Sequence, residues 1–296
     1  MQQARNLTLH YFIRAAILTG FAMYIIFLVK TDNILYYIAP RMVIYVKISA
    51  IGFYAIAVYQ VYQGIGSLWG SRAACDCEHP PNKSVIRNSI AYSLFILPLL
   101  LGFFLPDAAL GSALAAKKGV NLNSSRMLTS NSNPDQITAT ETAAPEQLKE
   151  MFKTDKYNED FARLGMKLYK EDRIEVKEEG FIEILSAVDL FLHHFIGKKM
   201  EISGFIYRED NMKVNQFVVA RFQLQCCSAD AAPFGVMIES EDANAYAKDS
   251  WVKITGIIGK TTYNGNEIMK INAAKIEKTL PSKLPYVYPN YDFLVN

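Results

Sequence analysis

The stretch YFIRAAILTGFAMYIIFLV at residues 11–29 decides the class of the fold. A helix needs about 20 mostly apolar residues to cross the hydrocarbon core of a bilayer, which is roughly 30 Å thick. Two further runs, at residues 42–62 and 88–105, have the same apolar character and a similar length. Buried helices of soluble proteins usually have shorter apolar runs, of about 10–14 residues. The sequence therefore predicts three spans and a multi-pass protein of the cell membrane.

The first run is interpreted as a retained span and not as a signal peptide. Its apolar stretch is too long, and Lys30-Thr-Asp-Asn33 follows it without a small-residue cleavage pattern. Three spans place the N-terminus and the C-terminal region on opposite sides of the membrane. The Lys and Arg residues near the spans are almost evenly divided between the two sides. With the positive-inside rule as the guide, we expect a cytoplasmic N-terminus and an extracytoplasmic C-terminal domain.

A change of composition after the third run predicts three regions. Residues 1–116 hold the spans and form a transmembrane domain. Residues 117–145 are rich in Asn, Ser and Thr, with little apolar periodicity, which is typical of a flexible linker. Residues 146–296 read as a soluble α+β domain, helical at first and then mostly β.

The β part of this domain shows alternating apolar and polar residues from about residue 198 to residue 280. Asn264-Gly265 is a strong signal for a type I′ hairpin. A short helical stretch at 240–248 separates the third strand from the fourth. Five strands with glycine bends predict a small five-stranded barrel of the OB type. The predicted strands are 200–207, 216–226, 234–239, 251–260 and 266–276.

Charge argues against nucleic acid as a partner. The whole chain has a formal net charge of +2, and residues 181–296 contain 12 Lys/Arg and 13 Asp/Glu. A groove that follows a phosphate backbone needs clustered positive charge, because phosphate contacts supply most of the affinity. We therefore expect no nucleic-acid binding, although OB folds often bind oligonucleotides.

The first cysteine pair lies between the second and third runs, in the sequence Cys75-Asp-Cys-Glu-His79. The thiolates of Cys75 and Cys77 and the imidazole of His79 are ligands suited to Zn²⁺ or another soft metal ion. Their spacing is shorter than that of a zinc ribbon, and a fourth ligand is missing. An ordinary polar loop is the alternative.

The second pair is Cys226-Cys227, with Asp230 three residues later. On a regular strand Cys226 would face the core with Phe222 and Leu224, and Cys227 would lie on the other face with Arg221. The two thiols can hold one metal ion only if the strand breaks at this point. Because one span separates the two cysteine pairs along the chain, they must lie on opposite sides of the membrane.

The order of these features resembles the YcgQ-like family of bacterial two-component permease subunits. The resemblance rests on residues 37–42 (YIAPRM), 98–106 (PLLLGFFLP), 197–207 (GKKMEISGFIY) and 221–231 (RFQLQCCSADA). It implies a partner, namely a larger multi-span permease subunit. It also implies a functional site at Cys226, Cys227 and Asp230, but it identifies no substrate. Family members often carry a His-rich loop between the second and third spans, where this chain has only Cys75, Cys77 and His79.

The leading hypothesis is an accessory permease subunit whose tethered domain captures or senses a solute, for which a metal ion is one candidate. The alternative is a membrane-anchored module without transport, in which the thiols act as a redox sensor or the domain binds another protein. The sequence contains no nucleophile–base pair, phosphate-binding glycine loop or metalloprotease helix, so we expect no enzyme activity.

Overall fold

A computed structural model describes residues 2–69, 85–107, 109–122 and 145–295. These residues fall into two compact units, Met1–Ala108 and Ala109–Asn296. The first unit is built of long apolar helices, and the second combines shorter helices with a mixed β-sheet.

The helices of the first unit confirm the three predicted spans. Their apolar segments are Thr8–Lys30, Pro40–Ser67 and Ile86–Phe104, each long and apolar enough to cross a membrane. The last helix continues through Pro98 and ends two residues before Pro106, because the residue before a proline disfavours the helical conformation. The helices are α1 (Gln2–Lys30), α2 (Val43–Leu68) and α3 (Val85–Phe104).

A carboxylate closes one end of this helical unit. Asp107, just after α3, accepts hydrogen bonds from the Asn33 amide at 2.8 Å and from the Tyr37 hydroxyl at 2.5 Å. Both donors belong to the segment between α1 and α2, which turns twice in 3-10 conformation before α2 begins. Two hydrogen bonds to a charged acceptor therefore tie this segment to the end of α3.

The second unit begins with helices and continues as a sheet. The helical elements pack on the sheet through an apolar cluster that includes Phe152, Leu168, Phe181, Leu185 and Phe195. Its helices are α4 (Ser112–Lys118), α5 (Pro145–Met151), α6 (Glu159–Tyr169), α7 (Phe181–Leu190), α8 (Leu192–Phe195) and α9 (Asp292–Val295). Its strands are β1 (Arg173–Val176), β2 (Lys199–Tyr207), β3 (Gln216–Gln223), β4 (Ala232–Glu239), β5 (Trp251–Tyr263) and β6 (Asn266–Lys278).

The strand order of the sheet is β1-β2-β3-β4-β6-β5, and β2 also pairs with β5. The pairings of the five later strands therefore close on themselves. β1–β2 and β4–β6 are parallel, while the remaining pairs are antiparallel. β2 pairs with β5 along Lys199–Phe205, with β1 along Lys199–Ile202 and with β3 along Phe205–Tyr207, and it approaches β3 very closely at Gly204. A Cβ atom there would lie 2.5 Å from the Ala220 carbonyl oxygen.

The five predicted strands are all present, with ends shifted by a few residues. Asn264 and Gly265 have φ angles of 51° and 78° and connect β5 to β6, as a type I′ turn requires. β1 was not predicted, since its four residues Arg173–Val176 lie between helices and offer too short a pattern. The expected helix at 240–248 is only a 3-10 turn at Ala243–Ala245.

β3 is buried along nearly its whole length, because each of its faces contacts a different apolar cluster. Phe217 and Val219 join the cluster that contains the helices, whereas Val218, Ala220 and Phe222 join a second one. This second cluster contains Phe205, Leu224, Met237 and Tyr286, together with Ala115 of α4.

The beginning of the predicted linker belongs to the folded domain. Val120 and Leu122 pack against the second apolar cluster, and the Asn121 N–H donates to the Pro233 carbonyl at 2.9 Å. The compact unit accordingly starts at Ala109 and not after the linker. The polar composition of this segment suggested a linker, because only a few small and apolar side chains anchor it to the folded domain. The remainder of the linker, residues 123–144, lies outside the described residues.

Candidate functional site

The strongest candidate site is the turn at residues 225–231, called the dithiol turn below, which connects β3 to β4. β3 ends at Gln223, but the Leu224 N–H still donates to the Val287 carbonyl at 3.1 Å. After Leu224 the backbone leaves the sheet. A 3-10 turn at Ser228–Asp230 then brings the chain back to β4.

The break in the strand changes the orientation of both cysteines. Cys226 is exposed and Cys227 is half-buried, and both are free thiols. Cys226 does not face the core with Phe222 and Leu224, as it would on a regular strand, because the two-residue alternation ends where β3 ends. The break that a shared ligand site requires is present.

Asp230 organises the turn. One carboxylate oxygen accepts from the Gln225 N–H at 2.9 Å, and the other accepts from the N–H groups of Cys226 and Cys227 at 2.7 and 3.2 Å. In return, the Cys227 side chain accepts from the Asp230 N–H, which completes a capping box. Asp230 thereby fixes the two residues that carry the thiols.

The same contacts set the proton affinities of the turn. Hydrogen bonds to Asp230 and to Cys227 raise the pKa of the Cys226 thiol to about 11. Desolvation on its own would raise the pKa of Asp230, but the Cys226 thiol and the three backbone N–H groups together lower it to about 2. At neutral pH the turn holds a carboxylate beside a protonated Cys226.

The geometry of the turn suits a thiophilic cation. The two Sγ atoms are 3.6 Å apart, and one ligand atom from each of Cys226, Cys227 and Asp230 lies within 4.8 Å of the others. Two thiolates on one tetrahedral zinc ion, with Zn–S bonds of about 2.3 Å, are roughly 3.8 Å apart. Asp230 accepts three N–H groups and the Cys226 thiol, which together use its capacity of about four hydrogen bonds, so an ion could take the position of the thiol proton once Cys226 is deprotonated.

Lys118, the last residue of α4, supports the dithiol turn from outside. Its ammonium group donates to the carbonyls of Ala229 and Ala231, at 3.1 and 2.6 Å. Sequence reasoning placed Lys118 in the flexible linker and missed this role. No local signal could have revealed it, since the contact joins residues more than 100 positions apart.

Arg221 is also placed differently from the expectation of an outward-facing residue. Only 2% of Arg221 is exposed, and its guanidinium lies over the Trp251 ring, 4.8 Å from the ring centroid. The guanidinium donates to the Leu284 carbonyl at 2.8 Å, so it holds the C-terminal segment against the sheet. Side chains still alternate between the two faces of β3 at Arg221. The face that carries Arg221 was expected to be exposed, but the C-terminal segment covers it.

The other predicted metal ligands, Cys75, Cys77 and His79, lie outside the described residues. Of the two predicted ligand sets, the described residues contain the second, which the structure brings together.

Comparison with protein families gives two matches in chain order. Residues 13–121 match the DUF1980 N-terminal domain, and residues 151–289 match the DUF1980 C-terminal domain. The first match includes most of the first span, the other two spans and α4, and the second includes all six strands.

Two curated relatives resemble the chain over about two thirds of its length. The "UPF0703 protein YcgQ" of Bacillus subtilis is 24% identical over 182 residues, which cover 62% of this chain and 61% of that protein. The "Putative two-component membrane permease complex subunit" of Streptococcus mutans is 23% identical over 199 residues, covering 66% of this chain and 72% of that protein.

The three apolar helices and the relation to a membrane permease subunit make this chain a membrane protein. With its DUF1980 N-terminal and C-terminal domains in order along one polypeptide, the chain belongs to the YcgQ-like family.

Proposed function

We propose that this chain is the accessory subunit of a two-part membrane permease and that its dithiol turn captures a soft metal ion such as Zn²⁺. The name of the Streptococcus relative supports the permease role. The observation that carries the metal role is the convergence of two free thiols and a carboxylate in one exposed turn.

The size of the membrane unit supports a larger partner. Three spans are too few for the internal repeats on which many secondary transporters are built. The outward faces of α2 and α3 carry exposed apolar side chains, among them Ile51, Tyr54, Leu94 and Phe104. These faces offer surface both to lipid and to a multi-span permease. In this proposal the membrane unit docks on the permease, and the C-terminal domain works on the extracytoplasmic side.

The second unit is proposed to be an OB-type barrel that acts as a capture domain without enzyme activity. The closed series of pairings β2-β3-β4-β6-β5, with β4 and β6 parallel, supports this interpretation. Its nearly balanced charge argues against a nucleic-acid ligand. The dithiol turn lies at the end of β3, where a barrel of this kind presents its loops to solvent.

Electrostatics favours metal capture over a redox role for the thiols. Asp230 raises the pKa of the Cys226 thiol, and a thiol reacts only as its thiolate. A bound cation reverses this effect, because it compensates the carboxylate and allows both thiols to lose their protons. The 3.6 Å separation of the Sγ atoms supports the alternative, a sensor that cycles between two thiols and a disulfide.

Metal analysis of the purified full-length protein tests the proposal. We expect about one equivalent of metal in the native chain and none in the Cys226→Ser/Cys227→Ser variant. The Cys75→Ser/Cys77→Ser variant removes the same number of thiols and should retain the metal. Loss of metal in that control alone would transfer the site to the loop between the second and third spans. A metal-free native chain that loses the mass of two hydrogen atoms to a mild oxidant, as disulfide formation requires, would support the redox sensor.

Co-purification tests the partner. A tagged chain expressed in its native host should retain a larger multi-span protein through detergent extraction. Recovery of the chain alone, as a stable monomer, would contradict the accessory role.

A further inference from the structure

A pocket of about 400 Å³ lies in the second unit, away from the dithiol turn. Its volume falls in the range of roughly 300–1,000 Å³ typical of small-molecule sites. Residues of β1, β2, β3 and β5 and of the segment after β6 line it, with Arg221 and Trp251 among them. Its lining residues do not include those of the dithiol turn.

The charge of Arg221 is poorly compensated in this pocket. Arg221 is 2% exposed, and its Nε–H is buried without a hydrogen-bond partner. Its carboxylate partner is Glu178, at 3.5 Å, a distance at the limit of a hydrogen bond. One distant counter-charge offsets only a small part of the free energy that is lost when a cation is removed from water. An additional anion near the guanidinium would therefore be bound favourably.

Glu178 is a side chain that a ligand could displace from Arg221. Its side chain is 44% exposed, and it is held by Arg221 and by the Ser282 hydroxyl. A carboxylate from a ligand could replace it on the guanidinium, because the planar fork of arginine matches a carboxylate. The movement would uncover the guanidinium without disturbing the contact between Arg221 and the Leu284 carbonyl.

The rest of the pocket limits the ligand to a singly charged carboxylate with an apolar body. Besides Glu178, the carboxylates of Glu175 and Glu201 line the pocket, and Glu201 is paired with Lys253 at 2.6 Å and with Arg173 at 3.2 Å. Once Glu178 is displaced, the lining holds three cations (Lys177, Arg221, Lys253) and two carboxylates, an excess of one positive charge that a monocarboxylate balances and a multiply charged anion such as phosphate exceeds. Trp251 and Leu280 supply apolar surface for the body of the ligand.

We propose that the Arg221 pocket binds a small organic monocarboxylate, which displaces Glu178 and packs its apolar part against Trp251. This site goes beyond the proposed metal capture and does not depend on it. The two can be separated, since the Cys226→Ser/Cys227→Ser variant should bind the carboxylate as the native chain does.

Benzoate and its neutral analogue benzamide test the proposal in the full-length protein. The chain has two tryptophans, so a Trp69→Phe background leaves Trp251 as the only fluorophore of this type. Benzoate should change the Trp251 emission in a saturable way, and benzamide should not. Arg221→Lys should weaken benzoate binding about tenfold, which corresponds to about 1.4 kcal/mol, because lysine lacks the planar fork.

The Glu178→Gln variant separates binding from a merely structural role of Arg221. Removing the competing carboxylate should tighten benzoate binding by roughly threefold, because a larger fraction of the protein is then competent to bind. Glu267→Gln removes an equal charge from the exposed pair with Lys260 and should have no effect. Both substitutions are on the surface, so the test remains decisive if Arg221→Lys fails to fold. The proposal is overturned if benzoate gives no saturable change, if benzamide binds equally well, or if Glu178→Gln leaves the affinity unchanged.

Discussion

Replacing Asp230 by asparagine removes the charge that keeps Cys226 protonated, while a side chain of the same size remains in the dithiol turn. In the native chain the pKa of the Cys226 thiol is raised to about 11, and the hydrogen bond to Asp230 is the largest cause. An unperturbed thiol has a pKa of about 8.5. We expect the pKa of Cys226 in Asp230→Asn to fall by up to about two units, since the hydrogen bond to Cys227 remains.

The reaction rate should change less than the fraction of thiolate. At pH 8 a thiol of pKa 11 is about 0.1% ionised, and one of pKa 9 is about 10% ionised, a hundredfold difference. Thiolates of lower pKa are weaker nucleophiles, with a slope of about 0.4–0.5, which removes roughly a factor of ten. The net expectation is alkylation of Cys226 faster at pH 8 by up to about tenfold.

The Asp230→Asn variant should be less stable than the native chain, although its Cys226 reacts faster. The folded turn lowers the pKa of Asp230 to about 2, so its contribution is present above the unfolded pKa of about 3.9 and is lost as pH falls towards 2. A shift of about two units corresponds to about 2.6 kcal/mol, and solvent screening at this exposed position reduces it to about 1 kcal/mol. The variant should therefore melt at a lower temperature than the native chain at pH 7, and the difference should vanish near pH 2.

The assay is the pH dependence of Cys226 alkylation by iodoacetamide, resolved from Cys227 by fragmentation mass spectrometry. Asp242→Asn is the matched control, because Asp242 precedes a similar 3-10 turn without a capping hydrogen bond from its side chain. An unchanged alkylation midpoint in Asp230→Asn would refute the electrostatic argument. An equal shift in Asp242→Asn would show that net charge, and not the turn, is the cause.

Three further expectations concern the second unit. Gly204→Ala should lower the free energy of unfolding by about 2 kcal/mol or more, because its Cβ would collide with the Ala220 carbonyl. Gly259→Ala is the control: its Cβ would have no neighbour closer than 3.4 Å, so thermal melting should change little. Burial raises the pKa of Glu183, so its contribution to stability is present below the unfolded pKa and is lost as pH rises. In Glu183→Gln the melting temperature should therefore decline less steeply above about pH 4.3 than it does in the native chain. Lys118→Met removes two hydrogen bonds to the dithiol turn and should accelerate amide exchange there about fivefold, for a local loss of about 1 kcal/mol; unchanged exchange would contradict a supporting role.

Most of the fold could be predicted from local sequence patterns. The spans could be predicted because a bilayer selects helices by length and apolar content, both of which are properties of one contiguous stretch. The strands and the turn at Asn264-Gly265 could be predicted for a similar reason, since two-residue alternation and positive φ angles are local requirements. β1 escaped prediction because four residues carry too little periodicity to identify a strand.

The sequence by itself determined which side chains could form the candidate site, since Cys226, Cys227 and Asp230 lie within five residues of one another. Only the tertiary structure decided how they are used. The end of β3 turns both thiols out of the sheet, and the Asp230 carboxylate fixes them through backbone N–H groups. The roles of Lys118 and Arg221 likewise depend on segments distant in sequence, and contacts of this kind leave no periodic signal in the chain. Pairings between distant segments arise from the packing of the whole domain, whereas helices, strands and turns reflect the preferences of neighbouring residues.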